Sequence, residues 1–181
     1  MLPLRAIAAG LILMLFDLNV GEPRIDLVPD PVGWAAMVYG AGRLPDAFRL
    51  RPAMVGFAAA AGVISVFLWF PAVDASLSSD DPVLTWAMSL PCYGFVAVLA
   101  LALMDAAATG DDHSARDWWR AVLVGTCLTL VVPPIIIGVG EPVLVVPAVA
   151  IAVGTIITGI VLCFRHAGRP WADGPTVLTT G

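Results

Sequence analysis

Hydrophobic residues fall in long runs along this chain, separated by short polar stretches rich in Asp, Arg, Gly and Pro. A helix needs about 20 apolar residues to cross a hydrocarbon layer of roughly 30 Å. Residues 2–20, 53–72, 83–104, 119–138 and 143–164 all meet that length. One further apolar run, residues 31–44 (PVGWAAMVYGAGRL), is shorter. At 1.5 Å per residue it reaches about 21 Å, which suits a short crossing, a re-entrant half-helix or an interfacial helix. The pattern predicts an all-α fold, a polytopic transmembrane helical bundle of five full-length spans plus one short or broken helix. Residues 1–164 make up this transmembrane domain. Residues 165–181 form a short polar tail, expected to be a mobile cytoplasmic end with Arg165, His166 and Arg169 near anionic headgroups.

The polar punctuation orients these segments. Asp30-Pro31-Val32, Asp81-Pro82-Val83 and Glu141-Pro142-Val143 each open an apolar run with an acid and a proline. The acid suits the positive end of a helix, and proline at the first helical position gives up an N–H that had no partner. Arg5, Arg49, Arg51, Arg116 and Arg120 instead precede the runs at 2–20, 53–72 and 119–138. If residues 31–44 cross, every acid-proline start lies on one side and eight of the nine basic residues, all arginine, on the other. The arginine side is then the cytoplasm by the positive-inside rule, with both termini there and Arg24 alone outside. Three in-out-in hairpins result. If residues 31–44 do not cross, Arg5 alone becomes external and the acid-proline starts split between the two faces, so the arginine count does not choose between the two topologies and the shared acid-proline face favours crossing.

Trp69, Phe70, Trp86, Trp118 and Trp119 sit at the ends of spans, where aromatic side chains anchor helices in the interface. Thr85, Ser89 and Cys92 form a stripe on one helical face, as do Thr126, Thr129 and Pro133, and Thr155, Thr158 and Gly159. Such stripes point to helix packing, with hydroxyls bonded across helices or back to their own carbonyls, or else to a lined pathway. Ala150, Gly154 and Thr158, like Gly56 and Ala60, form rows of small residues suited to close packing. Pro91, Pro133 and Pro134 free backbone carbonyls inside the membrane, and these need other donors.

Composition agrees with a membrane chain. Of 181 residues, 60% are hydrophobic and 13% charged, and the mean hydropathy is +0.94. Soluble domains are closer to half apolar and a quarter charged. The absence of lysine, beside abundant Ala, Gly, Pro and Val, points to a bacterial origin and so to the bacterial plasma membrane. A net charge of −5 offers no basic patch for nucleic acid. Cys92, Cys127 and Cys163 are far apart in apolar runs and read as small hydrophobic residues. The N-terminus begins like a signal peptide, but it lacks a small-residue cleavage site and further spans follow, so it reads as an uncleaved first helix.

Candidate chemistry concentrates in Glu22-Pro23-Arg24-Ile25-Asp26-Leu27-Val28-Pro29-Asp30 and in Asp17 before it. Broken helices in transporters place half-helix ends and unwound backbone around ions or substrates. Asp17, Arg24, Asp26 and Asp30 are accordingly the candidate ion or substrate site, with Arg24 as counter-charge. The plainer reading is that Asp30 caps a helix, Arg24 pairs with an acid and Asp17 is interfacial. Residues 110–117 (GDDHSARD) open like the CDP-alcohol phosphotransferase motif, but His113 stands where that motif has glycine and no acids follow at the required spacing. That stretch is expected to be a solvated loop. No metalloprotease, nucleophile-elbow, P-loop or dinucleotide motif is present, and no cofactor is expected.

The stretch Ile25-Asp26-Leu27-Val28-Pro29-Asp30-Pro31-Val32-Gly33-Trp34 resembles a pattern found after the first span of small polytopic bacterial membrane proteins of unassigned function. That pattern is Ile-Asp, two residues, Pro-Asp, two residues, Gly-aromatic. The resemblance covers about 20 residues, differs at Pro31 where the pattern has an apolar residue, and implies a fold rather than an activity. The sequence thus predicts a non-enzymatic accessory or assembly component, packed in the lipid bilayer against partner helices or a second copy. The alternative is a small transporter or channel for a cation or proton-coupled solute, using the acidic segment from Asp17 to Asp30.

Overall fold

The computed structural model describes residues 2–15, 19–20, 25–26, 30–68, 82–139 and 142–173. Six helices build the body: α1 (Pro3–Leu15), α2 (Asp30–Gly42), α3 (Arg51–Leu68), α4 (Pro82–Thr109), α5 (His113–Val139) and α6 (Val145–His166). A two-residue antiparallel pairing joins β1 (Asn19–Val20) to β2 (Ile25–Asp26), with Asn19 opposite Asp26. A 3₁₀ turn at Pro142–Leu144 leads into α6, and a single turn, α7 (Pro170–Asp173), follows it.

Four of these helices, α3 to α6, are long and apolar enough to cross a membrane. Their 18, 28, 27 and 22 residues reach about 27, 42, 40 and 33 Å. The remaining two, α1 and α2, have 13 residues each, about 20 Å. The first run, expected to be a full span over 2–20, is helical over Pro3–Leu15, and residues 16–18 lie outside the described residues. Large apolar side chains cover the outside of the long helices, among them Val131, Ile135, Val146, Val149 and Ile157. Water penalises such a surface and hydrocarbon accepts it. The four apolar helices fit a multi-pass membrane protein.

Each helix packs on the next in chain order, and α6 returns to α1, so the six close a ring around one core. Neighbours run antiparallel. Gly10 of α1 faces Gly33 of α2, while Gly40 faces the start of α1 at Pro3 and Ile7. Likewise, Trp86 of α4 meets Leu130 of α5, and Trp119 of α5 meets His166 of α6. The starts of α2, α4 and α6 therefore share one end of the ring, with their prolines at or just before the first turn. The opposite end holds Arg5, Arg43, Arg49, Arg51, Arg116, Arg120, Arg165 and Arg169.

Local chemistry sets the element boundaries. Asp112 Oδ1 accepts the Ala115 N–H at 3.0 Å and caps α5, so this helix starts at His113 and takes in most of a stretch expected to be loop. Pro134 lacks an N–H, which leaves the Leu130 carbonyl without its helical donor, and Trp86 Nε1 supplies one from α4 at 3.1 Å. The hydroxyls of Ser65, Ser89, Thr126, Thr129 and Thr158 bond carbonyls three or four residues back on their own helices.

Packing corrects several expectations. Trp119 is fully buried rather than an interfacial anchor, whereas its neighbour Trp118 is half exposed. Trp69 and Phe70 lie outside the described residues. The small rows Gly56–Ala60 and Ala150–Gly154–Thr158 do not pack inside the fold; a Cβ on Gly56 or Gly154 would meet open space. Close packing falls instead on α1 and α2, where a Cβ on Gly10 would lie 2.5 Å from the Gly33 carbonyl oxygen. Of the stretch expected to be a mobile tail, residues 174–181 lie outside the described residues. His166 is buried within α6, and α7 folds back to pack on α4.

Candidate functional site

Of the four residues singled out by sequence, the structure sets Asp30 in a recognisable site. Asp17 and Arg24 lie outside the described residues, and Asp26 sits on β2 opposite Asn19. Asp30 is the first residue of α2, half-buried, on the wall of a cavity of about 310 Å³.

Among the described residues, that cavity lies between α1, α2, α3 and α4. Here α1 and α2 have 13 residues each, while α4 has 28. Met14 closes it from α1, Trp34 from α2, and Ala61 and Ser65 from α3. From α4 come Thr85, Ser89 and Cys92, the polar stripe visible in the sequence, so this stripe lines a chamber rather than a helix–helix seam. Its three positions cover about 10 Å of helix axis.

The chamber has an aromatic floor. Trp34 meets Phe95 edge-on, with ring centroids 6.0 Å apart and planes at 85°. Phe95, Leu99 and Met54 are fully buried below it. Gly62 leaves room for Trp34, since a Cβ there would stand 3.1 Å from the Trp34 Cβ. A carboxylate, three hydroxyls and an indole in a cavity this size form a mostly apolar pocket with a few converging polar groups, the usual character of a small-ligand site.

The arginine end holds a second cluster that sequence reasoning missed. Buried Trp119 donates its Nε1–H to His166 Nδ1 at 3.2 Å, which fixes Nδ1 as the acceptor. The His166 ring lies 5.3 Å from that of Trp171, and Trp171 Nε1 donates to Asp112 Oδ2 at 3.3 Å. The Ala115 N–H, then the Trp171 N–H and the charges of Arg169 and His166, hold the Asp112 carboxyl below its ordinary value, with desolvation opposing them. Two signals pointed here: Asp112 before a run of helix formers is a capping signature, and Arg169-Pro170 is a helix start. Among the described residues, no three His, Cys, Asp or Glu side chains gather as a metal site.

No family model, curated protein or solved structure matches the chain.

Proposed function

We propose that this chain is a small, non-enzymatic transporter or channel of the bacterial plasma membrane, and that Asp30 is the charged group of its binding chamber. The observation that carries this reading is the half-buried position of Asp30 on a cavity shared by four helices and lined by Thr85, Ser89 and Ser65. A negative charge with hydroxyl oxygens around it recruits a small cation or a protonated solute. In this reading the arginine-bearing end faces the cytoplasm, with both termini, and the chamber stands toward the opposite, acid-proline end. Asp17, Arg24 and Asp26 precede Asp30 in the sequence.

The test is flux into proteoliposomes that carry a pH- or cation-sensitive dye, under imposed Na⁺, K⁺ or H⁺ gradients. The unmodified chain carries one of these ions faster than empty vesicles, and Asp30→Asn removes that flux while the thermal midpoint stays near that of the parent. Flux equal to empty vesicles for the unmodified chain under all three gradients contradicts the proposal.

A second reading, an accessory subunit packed against partner helices, is favoured by the outward row Ala150–Gly154–Thr158, which finds no packing partner within the fold. Native mass spectrometry after gentle extraction separates the two. A stable complex with other chains that Gly154→Leu disperses supports the accessory role, whereas a monomer or homo-oligomer supports the chamber as the working part.

A further inference from the structure

A second cavity, of about 420 Å³, opens at the arginine end and has no part in the Asp30 chamber. Three pieces of chain enclose it: the α2–α3 connection at residues 47–50, the last two turns of α4, and α7. Its walls are apolar, from Phe48 and Leu50 on one side, Ala102 and Ala106 on another, and Trp171 as the roof. Two exposed charges stand at its rim, Arg49 and Asp105. Arg51, the first residue of α3, is already engaged by Asp46 and by the Leu44 carbonyl. Neither Arg49 nor Asp105 pairs with a charge among the described residues.

This geometry points to a site for a zwitterionic phospholipid of the ethanolamine type, with the phosphate on Arg49, the ammonium on Asp105 and an acyl chain along Phe48, Ala102, Ala106 and Trp171. The site is wide enough, since ligand pockets run from about 300 to 1,000 Å³. It also lies at the correct depth, because the arginine end of the ring is where headgroups meet the helices. Charge decides among lipids. An anionic headgroup satisfies Arg49 but meets repulsion from Asp105, whereas a primary ammonium gives Asp105 a donor. Free phosphoethanolamine has the same headgroup chemistry and leaves the apolar wall bare. Trp171 acts as a positioning residue: its bond to Asp112 and its contact with His166 hold α7 over the cavity.

Native mass spectrometry on the delipidated full chain in detergent tests the site, with phosphatidylethanolamine, phosphatidylglycerol and phosphoethanolamine added in turn. The expected result is one tightly held phosphatidylethanolamine, about tenfold preferred over phosphatidylglycerol. Arg49→Gln weakens both lipids, and Asp105→Asn abolishes the preference while leaving phosphatidylglycerol bound. Ala106→Trp, which fills the groove, removes the adduct. Both charged positions are exposed, so those variants keep the fold, and a thermal scan checks the groove-filled one. Equal binding of the two lipids by the unmodified chain overturns the assignment. So does phosphoethanolamine binding as tightly as the lipid, or a preference that survives Asp105→Asn.

Discussion

The two ends of the ring are built on opposite plans. At the acid-proline end a cavity of about 310 Å³ is lined by a carboxylate and three hydroxyls, from Asp30, Thr85, Ser89 and Ser65. At the arginine end polar side chains pair with one another, Trp119 with His166, Trp171 with Asp112 and Arg51 with Asp46, beside an apolar cavity of about 420 Å³. Ser65 and Ser89 give their hydroxyl hydrogens to carbonyls of their own helices, and their oxygens can still accept. The two ends thus differ in what lies between their polar side chains, a shared cavity at one and direct side-chain pairs at the other.

The largest expected effect falls on the contact between α1 and α2, two of the helices that wall the Asp30 cavity. Gly10→Ala places a Cβ 2.5 Å from the Gly33 carbonyl, a backbone atom that cannot turn aside, and should cost about 3 kcal/mol. Gly154→Ala, whose Cβ meets open space, should stay within about 0.5 kcal/mol of the parent. Thermal unfolding in detergent compares the two directly. Equal midpoints would mean that the Gly10–Gly33 approach does not hold α1 against α2.

A smaller effect is expected at the arginine end. Trp119→Phe removes the donor to buried His166 and leaves Nδ1 unsatisfied, a loss of about 1–3 kcal/mol in the same measurement. If its midpoint matches the parent, the Trp119–His166 bond is not a support of that end.

The smallest effect depends on pH. Asp112 has a lowered carboxyl pKa in the fold, so its contribution is complete above the ordinary carboxylate value and disappears as pH falls through the lower, folded value. Acidification should therefore loosen α7 and the start of α5 in the parent, read as lower amide protection factors, corrected for the intrinsic fall of exchange with pH, at residues 113–116 and 171–173. Asp112→Ala should show that low protection at neutral pH already, having lost a cap worth about 1 kcal/mol. Protection factors in the parent that stay the same on acidification would show that the cap is not what holds these turns.

Much of this architecture could be read from the chain because it rests on one-dimensional signals. Apolar runs of membrane length appear as α3 to α6, and proline marks the starts of α2, α4 and the turn before α6. Asp30 was legible as a helix start beside a broken segment, and the Thr85–Ser89–Cys92 stripe as a face. What remained hidden depends on neighbours in space. Which small residues face a helix cannot be told from spacing, so Gly10 and Gly33 were passed over while Gly56 and Gly154 were favoured. His166 looked like the start of a polar tail, because its burial depends on Trp119, 47 positions away, and on a single turn at Pro170–Asp173.

The electrostatics of the Asp30 chamber can be measured without knowing its ligand. Cys92 lines the chamber, so the rates at which small cationic and anionic methanethiosulfonates modify it report the local field. The exposed Cys127 is replaced by Ser, and Cys163, which is fully buried, is left in place. The account predicts that the cationic reagent reacts with Cys92 about tenfold faster than the anionic one, and that Asp30→Asn brings the two rates together. Equal rates in the parent, or a ratio that Asp30→Asn leaves unchanged, would contradict a cation-attracting chamber at Asp30.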